Sequence, residues 1–194
     1  AREHLRILDL LEAGRNREAA EALRAHLAGV MAKLHAVRPL LEGLRVIQAR
    51  LEGRPCTPHQ AQTLLRSPFG GLDSLGVRRL GRLLRGAHPG EPVSSGEWFA
   101  AMLDDPSLAD GLEGDDVEAA RALARHLAQA TSTIEQGGHA AQALWQLWHE
   151  TGWADRARAE ALSDSDASPG ANRDIDLVQA LFDLAERDTQ LSGV

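Results

Sequence analysis

Apolar residues recur along this chain every three or four positions, with polar residues filling the gaps, which is the period of an amphipathic helix. Alternating β-branched runs of the kind that make strands are absent. The pattern predicts a first helix over about residues 2–13, with Leu5, Ile7 and Leu8 inward and a stop at Gly14. Asn16 is placed to cap a second, along which Ala19, Leu23, Leu27, Val30 and Leu34 repeat. A third follows Pro39 to about Leu51. Thr57-Pro58 reads as an N-cap followed by proline at the first helical position, opening a short helix through Leu65. SPFGGLDS (67–74) reads as a turn, with Asp73 capping a helix to Arg85. The glycines, prolines and serines of 86–96 predict a loop, before a short helix around Trp98–Met102. A long helix from Asp115 to about Glu135 carries acidic residues at its start, where the helix dipole favours them. Gly137-Gly138 separates it from a helix bearing Trp145 and Trp148. SDSDASPGAN (163–172) predicts a mobile loop, and a last helix spans about 173–190. The expected fold is all-α: a bundle-like array of about nine helices with a helical hairpin at its N-terminus.

Charge divides the chain. Residues 1–100 carry fifteen Arg/Lys against ten Asp/Glu, a net of +5, and residues 101–194 carry six against eighteen, a net of −12. Phosphate contacts are therefore expected from the first half. Cys56, the single cysteine, can form neither an internal disulfide nor a Cys-based zinc site. With no apolar run of membrane-spanning length and no signal peptide, the expectation is a cytoplasmic protein without membrane partners. The single lysine, Lys33, lacks the glycine spacing and following hydroxyl of a phosphate-binding loop. H-E-x-x-H, G-x-S-x-G and G-x-G-x-x-G are also missing, so no catalytic residue is assigned.

Arg78, Arg82 and Arg85 follow helical spacing, with Arg79 beside them and Val77, Leu80 and Leu84 facing elsewhere. Such a stripe reads either as a phosphate-contacting surface or as the solvated face of an amphipathic helix. Arg45 and Arg50 are candidates to extend it. The cluster Trp145, Trp148 and Trp153 is expected to be mainly core, because a base-stacking platform needs exposed rings beside basic residues, and the charges nearby are mixed. Trp153, following Gly152, is placed to fold back over the apolar face of its neighbour helix. His35, His59, His88, His126, His139 and His149 share no metal-ligand spacing, and Asp174 and Asp176 read as the acidic opening of a helix.

Two family resemblances add expectations. EHLRILDLLEAGRNREAAEALRAHL (3–27) resembles the closing helix pair of the FCD ligand-binding domain of GntR-type transcription regulators. In metal-binding members, histidines at the positions of His4 and His26 supply half of a divalent-metal site, so the resemblance implies an incomplete metal site there. From about residue 36, AVRPLLEGLRVIQARLEG, TPHQAQTLLRSPFGGLDSLGVRRLGRLLR, ALWQLWHETGWADRARAEAL and ANRDIDLVQALFDLAER appear in order. Together they resemble the helical 2B-like insertion of actinobacterial UvrD/Rep-type ATP-dependent DNA helicases, the AdnA-like helicase–nucleases included. The resemblances divide the chain into an FCD-like hairpin at 1–35 and a helicase-accessory region at 36–194. They imply a non-catalytic accessory region whose partners are duplex DNA and the motor domains of a parent helicase, ATP being hydrolysed by those motor domains. The alternatives are a metal- or ligand-sensing module of a transcription regulator and an inert helical scaffold. An incomplete hairpin with an uncovered apolar face also favours self-association.

Overall fold

The computed structural model describes Arg15, Glu18, residues 37–163 and residues 175–183. Eight α-helices and one 3₁₀ turn, and no strand, occur among them. Helix α1 covers 37–51, α2 Pro58–Leu65, α3 Ser74–Ala87, α4 Ser95–Asp104, α5 Asp115–Glu135, α6 Ala140–Glu150 and α7 Trp153–Ala161, and α8 covers 175–183. The 3₁₀ turn, Pro106–Ala109, follows α4. The all-α expectation holds, and among the described residues no helix is long and apolar enough to cross a membrane. Apart from Arg15 and Glu18, the expected hairpin at 1–35, with His4, His26 and His35, lies outside the described residues, as do most of the loop at 163–172 and Asp174.

Local chemistry sets most of the boundaries. Thr57 caps α2 by accepting a hydrogen bond from the Gln60 amide (3.3 Å), while the Gln60 side chain accepts from the Thr57 amide (3.0 Å). Ser94 and Glu97 repeat that reciprocal pair at the start of α4, which begins three residues earlier than the apolar pattern implied. Asp73 caps α3 through the Gly76 amide at 2.6 Å. Gly152, in the left-handed region at φ 69°, breaks the chain sharply between α6 and α7. One boundary differs from expectation: the helix is already formed at residue 37, so Pro39 lies within α1 rather than ahead of it.

Helix α4 sits centrally, against α2, α3, α5 and the 3₁₀ turn, and buries Trp98, Phe99, Met102 and Leu103. Helix α5 runs beside α4 and α6 with Val117, Ala120, Leu123, Ala124 and Leu127 fully inside. Helix α1 buries Leu40, Val46 and Ile47, and its Gly43 lies against Leu147 of α6 and Phe69 of the turn after α2. All of this forms one hydrophobic cluster from Leu40 to Val178.

Candidate nucleic-acid interface

The arginine stripe stands on α3. Val77, Leu80, Gly81 and Leu84 are buried at the i, i+3, i+4, i+7 spacing, which turns Arg78, Arg79, Arg82 and Arg85 to solvent. All four are exposed, but they are not equivalent. Arg79 makes a two-point pair with Asp116 at the start of α5, Nε to Oδ2 at 2.5 Å and Nη2 to Oδ1 at 3.0 Å. That hydrogen-bonded pair, with the charges of Asp116, Asp73 and Asp115, raises the Arg79 pKa above its ordinary value. Its charge is therefore spent inside the molecule. Arg85 donates to the Ser95 hydroxyl across the α3–α4 packing. Arg78 and Arg82, one turn apart, make no hydrogen bond or ion pair with any described residue, and Leu75 and Leu83 are exposed beside them on the same helix.

The proposed extension of this face does not form. Arg50 has a side chain only 15 % exposed, held by Asp104 Oδ1 (3.2 Å) and the Leu103 carbonyl (2.6 Å). It fastens the end of α1 to the end of α4. Arg45 is exposed but paired with the buried Glu42 at 2.6 Å.

Trp148 and Trp153 are core, as expected, and Trp153 does fold back, with ring centroids 4.7 Å from Trp148 and 5.0 Å from Phe69. The Arg156 guanidinium donates to the Pro68 carbonyl at 2.5 Å and to the Thr151 carbonyl at 3.2 Å. The turn SPFGG and the segment TGWADR, distant in sequence, thus pack on one another. Trp145 departs from the core expectation. It is 55 % exposed, stacked on His149 (5.5 Å, interplanar 9°) and edge-on to Phe182 (5.9 Å). Sequence reasoning treated the three rings together. A helical wheel separates them, because Trp145 sits about 100° round from Leu144, off the arc of Leu144, Leu147 and Trp148.

The other candidates resolve plainly. Among the described residues no three His, Cys, Asp or Glu side chains converge as a metal site. His88 stacks on the buried Trp98 at 4.5 Å, with Nε2 3.0 Å from the Leu108 carbonyl. His126 lies 3.7 Å from Glu150. Cys56 is buried, and its amide donates to Asp104 Oδ2 at 2.8 Å. Burial first, and the Asp104 charge second, push its thiol up to about 12, against a weaker opposing effect of Arg50. A thiol that stays protonated is a poor nucleophile. No protein-family model matches this chain, and no curated protein matches it.

Proposed function

We propose that this chain is a non-catalytic helical accessory region of a UvrD/Rep-type DNA helicase, which lays the exposed face of α3 on the phosphate backbone of duplex DNA. One observation carries the reading: Arg78 and Arg82 stand one turn apart on the solvent side of a helix whose other side is buried, with no acidic partner among the described residues. Two guanidinium groups at that spacing bind phosphates without reading bases. Arg79 and Arg85 serve the fold first, through Asp116 and Ser95. The arrangement suits a surface that holds or orients a duplex while another part of the parent protein turns over ATP.

The test is fluorescence anisotropy with a labelled duplex at low and moderate salt. Two phosphate contacts give a log–log salt slope of about −1.8, or roughly tenfold weaker binding between about 50 and 200 mM salt. Replacing Arg78 and Arg82 by alanine is expected to abolish that salt-dependent binding, whereas Arg79→Ala alone leaves most of it. Binding unchanged in the variant with all four arginines replaced overturns the assignment. Absence of binding by the wild type at either salt favours the inert scaffold.

A further inference from the structure

The exposed Trp145 borders a groove of about 740 Å³ between α5, α6 and α8, within the range of small-molecule sites. His149 covers one face of the indole. The groove is lined a helical turn earlier by Ala141 and Gln142 and not by His149, and so opens on the side away from that ring. Phe182 stands edge-on at one border, and Gln146, Gln179 and Asp183 complete the polar rim.

The hydrogen-bonding capacity of that rim is largely unspent. The Gln142 carbonyl oxygen accepts from the His139 amide (2.8 Å) and that of Gln146 from the Thr133 hydroxyl (2.9 Å). Those bonds orient the two amides, and neither amide nitrogen donates to a described residue. The side chains of Gln179 and Asp183 likewise have no hydrogen-bond partner among the described residues. Among the described residues, no arginine, lysine or histidine lines the groove. A phosphate or carboxylate would meet Asp183 with no cation among the described lining residues to balance it, which disfavours anionic ligands there.

We infer that this groove binds an uncharged sugar ring. A pyranose has a flat C–H face that matches the open face of the Trp145 indole, and hydroxyls at its edge that both donate and accept. Amide nitrogens supply donors to those hydroxyls, and the Asp183 carboxylate accepts from them. The assignment needs no contact with DNA and is independent of the arginine face on α3.

The experiment is isothermal titration of the full chain with maltotriose, cellotriose and tri-N-acetylchitotriose, beside adenosine and thymidine. Ligand-observed saturation-transfer spectra report which protons touch the protein. At least one sugar is expected to bind saturably, its ring C–H protons receiving the strongest transfer. Trp145→Ala, at an exposed position, is expected to keep the helical circular-dichroism spectrum and to bind at least about tenfold more weakly. Trp145→Phe is expected to restore most of the affinity. Gln179→Ala is expected to lose about fivefold, the weight of one hydrogen bond. Sugars that fail to bind at millimolar concentration, or bind equally to a folded Trp145→Ala variant, overturn the proposal. So does Trp145-dependent binding of a nucleoside in their place.

Discussion

Cys56 shows how far a side chain's surroundings outweigh its type. Its thiol is neutral in the folded chain up to about 12, whereas an exposed thiol ionises near 9.0. Above the lower value the unfolded chain loses a proton that the folded chain keeps, so stability falls as pH rises from there and levels off near the higher value. The chain has no tyrosine and one lysine, so few other groups titrate in that window. Urea midpoints at about pH 8 and about pH 10.5 are expected to drop in the wild type, and less in Cys56→Ala. Gly70 is constrained by space instead. A Cβ there would lie 2.4 Å from the Leu65 carbonyl oxygen and 2.6 Å from its Cα. Backbone cannot step aside as a flexible side chain can, so Gly70→Ala is expected to cost on the order of 2–3 kcal/mol in urea denaturation.

Among the helices, α3 is held by its partners as much as by its own pattern. Asp116→Asn removes the carboxylate that neutralises Arg79 and leaves a third free cation on the α3 face. Where duplex binding is seen, that variant is expected to steepen the log–log salt slope by up to about 0.9, one further phosphate contact. Helix α7 depends on one ring. Trp153 fills the space between Phe69 and Trp148, and Trp153→Ala is expected to destabilise by about 3–5 kcal/mol, read from thermal or urea unfolding. The helices themselves were largely legible in the sequence, because caps and period are local: Thr57, Asp73 and the Asp115–Glu135 bounds all stand where the pattern put them. The state of the arginines was not. That Arg79 meets Asp116 and Arg50 meets Asp104 joins residues 37 and 54 positions apart on different helices, which periodicity does not place side by side. The α5–α6–α8 groove was hidden for the same reason, since its wall comes from three separate helices.

Across the whole molecule, the charge division now has a geometry. The acidic start of α5, with Asp115, Asp116 and Glu118, borders the arginine face of α3 instead of lying at the far end of the chain. A duplex meeting that face meets carboxylates at its edge, which repel its phosphates and keep any binding weak. The Arg156–Pro68 bond and the Trp153–Phe69 contact span 88 and 84 residues. Closing such a span is costly in chain entropy until both ends are already shaped. The SPFGG turn and α7 are therefore expected to gain and lose their order together. In native-state hydrogen exchange the amides of Gly71, Leu72 and Arg156 are expected to open as one group, with a common free energy. Trp153→Ala should lower that shared value at all three, although Gly71 and Leu72 lie more than 80 residues from the substitution.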